Sequence, residues 1–126
     1  MSSRCRRPGS NLAKATAVAG RTSMSLLLEF SMFPTDRGES VGAYVARLVG
    51  IVHASGLPYR VGPMGTTVEG QAEEVFELIK GCLAELQRDC RRVAAFIKLD
   101  WRADGEGRID SKVASVARYL GHDIRT

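Results

Sequence analysis

Residues Gly56–Gly70 read GLPYRVGPMGTTVEG. The stretch begins where one amphipathic helix has to stop and ends where a second has to start. Within it two short extended segments, Tyr59–Gly62 and Thr66–Glu69, are joined through Pro63-Met64-Gly65. Proline holds φ at about −65° and has no N–H to donate, while glycine tolerates positive φ, so this trio favours a tight reversal. A helix, a hairpin and another helix in direct succession already restrict the topology. The polar Thr66, Thr67 and Glu69 stand just past the turn, where a small ligand could be read. The competing reading is an ordinary hairpin whose threonines simply suit a strand.

Upstream, Leu26–Phe33 (LLLEFSMF) alternates as a strand does. Leu26, Leu28, Phe30 and Met32 make a purely apolar face expected to lie under helices, and Leu27, Glu29, Ser31 and Phe33 make a mixed face. Pro34 ends the pairing. Ser40 is the expected N-cap of a helix over Val41–Ala54, whose Val41, Tyr44, Val45, Leu48, Ile51 and Val52 recur at helical spacing. Gly56 is its expected stop, and His53 in the last turn reads as a surface residue.

Downstream, a second helix is expected over about Gln71–Asp89. Val75, Phe76, Ile79, Cys82, Leu83 and Leu86 form its apolar stripe, and Glu73, Glu74 and Glu77 crowd its positive N-terminal end. Val93–Trp101 (VAAFIKLDW) alternates again, with Ala95, Ile97, Leu99 and Trp101 on an apolar face expected to be buried and Phe96, Lys98 and Asp100 on a mixed face opposite. A last helix is expected after Asp110 or Ser111, ending at Gly121. The order is therefore β-α-β-β-α-β plus a C-terminal helix. That is the split βαβ, or ferredoxin-like, arrangement of the α+β class: a four-stranded antiparallel sheet with two helices on one face. The first and last strands become neighbours, so Glu29, Ser31, Lys98 and Asp100 share the other face. That face, bare and bearing Phe33 and Phe96, suits a subunit interface.

The 126 residues carry 18 basic and 14 acidic groups, a net charge of +4. The excess is local. Arg4, Arg6, Arg7, Lys14 and Arg21 lie in residues 1–23 without a single acid, which leaves 13 basic groups against 14 acidic ones in residues 24–126, a net charge of −1. Residues 1–23 read as a disordered basic tail, 24–121 as the domain and 122–126 as a short C-terminal tail. Lys14 interrupts the one apolar stretch that could serve a signal peptide, and the arginines lack the apolar stripe of a presequence. A start codon assigned too far upstream of Met24 is the simplest account. No run is long enough to span a membrane, and the near-neutral domain lacks the basic stripe of a nucleic-acid binder.

Cys5, Cys82 and Cys90 are odd in number and make no CxxC pair, so core packing is expected rather than metal or redox chemistry. The expected compartment is reducing, most simply the cytoplasm. No Ser-His-acid order, HExxH or phosphate-cradling loop is present, so no catalytic residue is expected.

FSMFPTDRGESV, then SGLPYRVGPMGTTVEG, then IKLDWR and KVASV resemble the small thiamine-binding protein family over about Met24–Gly121. The resemblance implies a ferredoxin-like fold, dimers and commonly tetramers assembled through the sheets, and no catalysis. It also implies a pocket near a subunit interface that takes thiamine or its hydroxymethyl-aminopyrimidine half. An aminopyrimidine offers an amine donor and ring-nitrogen acceptors on a flat apolar body. Glu29 or Glu69 could accept from the amine, and Ser31, Thr66 or Thr67 could bond the ring nitrogens. Tyr59, Phe33 or Met64 could cover the ring, and Gly65 would allow close backbone approach. No cofactor or metal is expected. Two alternatives remain open: an oligomeric interaction subunit without this ligand, and a small enzyme using a carboxylate pair such as Glu29 with Glu69.

Overall fold

The computed structural model describes residues 25–104 and 107–126; the basic tail lies outside them. Strand β1 (Ser25–Pro34) leads to helix α1 (Gly42–Ala54) and the hairpin strands β2 (Tyr59–Val61) and β3 (Thr66–Gly70). Helix α2 (Ala72–Gln87), strand β4 (Val93–Arg102) and helix α3 (Arg108–Leu120) complete the order. The strands form one antiparallel sheet in the order β2-β3-β1-β4. This is the expected α+β ferredoxin-like architecture, with the first and last strands adjacent.

The apolar face of β1 is the floor of the core. Leu26, Leu28, Phe30 and Met32 pack with Val68 of β3 under Leu48 and Val52 of α1 and Val75, Leu78, Cys82 and Leu86 of α2. The first helix starts differently from expectation, the second where expected. Val41 occupies the N-cap position of α1 without a side-chain cap; its carbonyl accepts from the Tyr44 and Val45 amides, leaving Ser40 one residue too far upstream. Gln71 caps α2 through a capping box, donating its amide to Glu74 Oε1 at 3.0 Å. Gly56, at φ +79°, terminates α1 as expected.

Three expectations about coverage are corrected. The buried stripe of α2 runs through Val75, Leu78, Cys82 and Leu86, while Phe76 and Leu83 stay exposed. Ile97, Leu99 and Trp101 are likewise about half exposed, because the helices lie over β1 and β3 and β4 is an edge strand beyond them. The opposite face is not wholly bare. α3 begins at Arg108, earlier than expected, after Gly107 at φ +62°, and crosses the end of that face marked by Ser25, Glu69 and Asp100. Toward the other end Phe33 and Phe96 stack with their rings 6.3 Å apart, and Phe96 is exposed.

Candidate functional site

β1 is ten residues long and β3 only five, so their pairing ends at Phe30–Thr66. Beyond it, residues 31–34 of β1 remain paired with β4 on one edge and have no strand on the other. The hairpin explains the gap. Pro63 occupies the first position of the two-residue loop closed by the Gly62 N–H donating to Gly65 O at 2.8 Å. Its fixed φ excludes the mirror-image turns that match strand twist, and although the hairpin strands stay paired up to Val61 and Thr66, the β1 ladder stops at Thr66, short of the tip.

A notch of about 280 Å³ results. Phe30, Ser31, Met32 and Phe33 of β1 form one wall, and Val61 to Thr66 of the hairpin form another. Val45, Leu48 and Val49 of α1 close its base. The lining is mostly apolar with a few polar groups, the usual make-up of a small-molecule site.

The sequence candidates separate into groups. Ser31, Phe33, Met64, Gly65 and Thr66 all line the notch, with Met64 highly exposed at its mouth. Glu29 stands at its margin, where a methyl group on Gly65 would lie 3.3 Å from Glu29 Cγ and 3.1 Å from Phe30 O. Gly65 is therefore glycine for close approach. Thr67 pairs with Glu29 on the open face, opposite in direction to the buried Thr66. There Glu29, Thr67, Lys98 and Lys112 border a second, shallower depression, and Lys98 Nζ sits 3.4 Å from Glu29 Oε1.

Two further candidates also lie apart from the notch. Tyr59 packs against the core, with its hydroxyl 2.8 Å from His53 Nδ1. Glu69 is buried, and its carboxylate accepts the Arg108 amide at 2.9 and 3.1 Å and the Ile109 amide at 3.3 Å. It caps α3, not the second helix that comes directly after it in the chain. Arg108 itself is buried, with Nη1 donating to Ser25 Oγ at 3.1 Å and to Asp100 O at 3.0 Å and Nη2 in ionic contact with Asp100. Glu69, Arg108 and Asp100 thus form the joint that seats α3 on the sheet. Among the described residues, no cluster of three or more His, Cys, Asp or Glu could hold a metal ion.

A family model described as thiamine-binding protein matches residues 28–117. The chain belongs to the thiamine-binding protein family. A UPF0045 protein of Mycobacterium tuberculosis is 38% identical over 98 residues, covering 77% of this chain and 96% of the relative. A solved hypothetical protein of Methanocaldococcus jannaschii superposes with a TM-score of 0.69 at 28% identity, covering 74% of this chain and 96% of its own. A Thermotoga maritima structure, provisionally assigned to thiamine biosynthesis or salvage, superposes with a TM-score of 0.64 at 22% identity, over 73% and 98% of the two chains.

In this member of the thiamine-binding protein family, sequence reasoning missed Met32, Val45, Val49 and Val61 as residues lining the notch. One signal was present: eight alternating residues in Leu26–Phe33 against four in Thr66–Glu69 leave part of the first strand without a partner on one edge.

Proposed function

We propose that this protein binds thiamine, or its hydroxymethyl-aminopyrimidine half, in the notch between β1 and the hairpin tip, and that it does so without catalysis. The observation that carries the reading is the convergence of Ser31, Phe33, Met64, Gly65 and Thr66 on one apolar notch in a chain of this family. Phe33 and Met64 offer surfaces for a flat ring, and Glu29 at the margin offers an acceptor. Both carboxylate oxygens of Glu69 are taken up by α3, so a Glu29–Glu69 pair is not available for acid–base work, which supports a binding role.

The bound form is proposed to be a cytoplasmic homo-oligomer. Two separate apolar surfaces reach solvent: the exposed Phe96 stacked on the half-buried Phe33 beside the notch, and Ile97, Leu99 and Trp101 along β4. Two different self-contacts are what a dimer of dimers requires, and the first would place the ligand near a subunit boundary. No described helix is long and apolar enough to cross a membrane.

Calorimetric titration of the full chain with thiamine, and separately with hydroxymethyl-aminopyrimidine, tests the reading. Saturable binding of both, at one ligand per chain, is expected. Binding of neither by a folded oligomer would overturn it and leave an interaction subunit as the better description.

A further inference from the structure

We infer that the notch reads its ligand through the main chain of Met32, whose N–H and C=O form a donor–acceptor pair that β3 stops short of using. The inference rests on the notch being the ligand site. Its ligand class is a planar heteroaromatic ring with an exocyclic amine beside a ring nitrogen.

The ladder geometry assigns the groups. In an antiparallel strand, alternate residues direct both N–H and C=O to the same neighbour. Thr35 donates its amide to Arg92 O, so the odd-numbered residues of β1 point to β4. Leu26, Leu28 and Phe30 point the other way and pair with Gly70, Val68 and Thr66. Met32 is next on that edge. Its partner would be Met64, but the turn at Pro63 has carried Met64 out to an exposed position at the mouth. The following position is Pro34, which has no N–H. The edge beyond Phe30 therefore presents a single donor, flanked by its own carbonyl.

This edge is held straight. Ser31 and Phe33 are laddered to Phe96 and Ala94 on the far side, and the Met32 side chain is locked in the core at 4% exposure. The pair is consequently preorganised, which lowers the ordering cost of binding. An amine next to a ring nitrogen exchanges two hydrogen bonds with one extended residue, as a partner strand would. The surrounding Phe33, Val45, Val49 and Val61 exclude water from those bonds and meet the ring faces. Replacing the amine by an oxo group turns the ring nitrogen into a donor and the substituent into an acceptor. Both contacts with Met32 are then mismatched, and a site built on hydrogen bonds rejects such an analogue strongly, by about 100-fold or more.

The test is amide-resolved NMR of the full chain titrated with hydroxymethyl-aminopyrimidine and with its 4-oxo analogue. The Met32 amide proton is expected to move downfield, its hydrogen exchange to slow by at least about tenfold, and the oxo analogue to bind at least about 100-fold more weakly. A second measurement replaces Met32 by its α-hydroxy acid, which deletes the N–H and keeps the side chain; a loss of about tenfold in affinity is expected. Saturable binding with Met32 unmoved, and shifts centred on Glu29, Thr67 and Lys98, would overturn main-chain recognition while leaving the binding function standing. Absence of binding to both compounds would overturn the function itself and this inference with it.

Discussion

Glu69 shows how one side chain can look like a ligand group and serve the fold instead. It stands two residues from Thr67 in a polar run past a turn, yet its two oxygens meet the amides of Arg108 and Ile109. Without it the N-terminus of α3 would keep buried donors unsatisfied. Glu69→Ala is therefore expected to cost roughly 1–2 kcal/mol, the usual effect of losing a cap, measured by denaturant unfolding. Cys82 provides a second case. It is fully buried, and burial alone pushes its thiol up to about 11. At pH 8 it should stay unmodified by iodoacetamide in the native protein and react only once denaturant exposes it. Labelling at the native rate of a free thiol would mean that α2 opens readily.

The helices are tied to one another by charge as well as by packing. Arg47 of α1 donates Nε to Glu85 Oε2 at 3.0 Å and Nη1 and Nη2 to the Asp89 carboxylate at 3.0 and 3.1 Å. A fork of this kind specifies geometry as well as attraction. Arg47 holds Asp89 below the usual carboxylate range, and Arg88 followed by Arg47 does the same for Glu85. The Arg91 amide lowers Asp36, and Lys112 lowers Asp100. Each of these carboxyls is more acidic folded than unfolded, so its contribution is fully present above its ordinary pKa of about 4. It is lost as pH falls through the lowered folded value. Stability should thus be flat from about pH 5 to 7 with respect to these groups and decline below about pH 4. Arg47→Met should make that acid limb shallower, because Asp89 returns toward its ordinary value. An unchanged limb would show that the fork contributes nothing in solution.

For the molecule as a whole, the consequential surface is β4. Its even-numbered residues bond to β1, so Ile97, Leu99 and Trp101 turn free N–H and C=O groups outward from a long, half-apolar edge. Such an edge is a template for another strand. If a second copy pairs antiparallel about Leu99, Ile97 faces Trp101 of the partner subunit and Lys98 faces the partner's Asp100. Centring on Lys98 would set like charges opposite each other, which is unfavourable. Leu99→Pro removes a donor that the single chain does not use, and proline is tolerated on an edge strand. Sedimentation is expected to show the assembly halved, with circular dichroism unchanged. An assembly of unaltered size would place the self-contact elsewhere.

The element order, the antiparallel sheet and the core face of β1 were legible in the sequence, because period-two and helical spacing of apolar residues report which side of each element meets the core. Gly56 and Gly121 were legible as helix stops for a local reason, the positive φ that ends a helix. The turn at Pro63-Met64-Gly65 was legible too, and with it the neighbourhood of the site. What required the tertiary structure was relative coverage. Periodicity marks an apolar face but not how far a neighbouring helix extends over it, so Phe76, Leu83, Leu99 and Trp101 read as buried and are exposed. The fate of Glu69 depended on α3 returning across the sheet from thirty-nine residues away. The notch exists because one strand outlasts its neighbour, and the groups it bares belong to the backbone, which every residue shares and no side-chain pattern records.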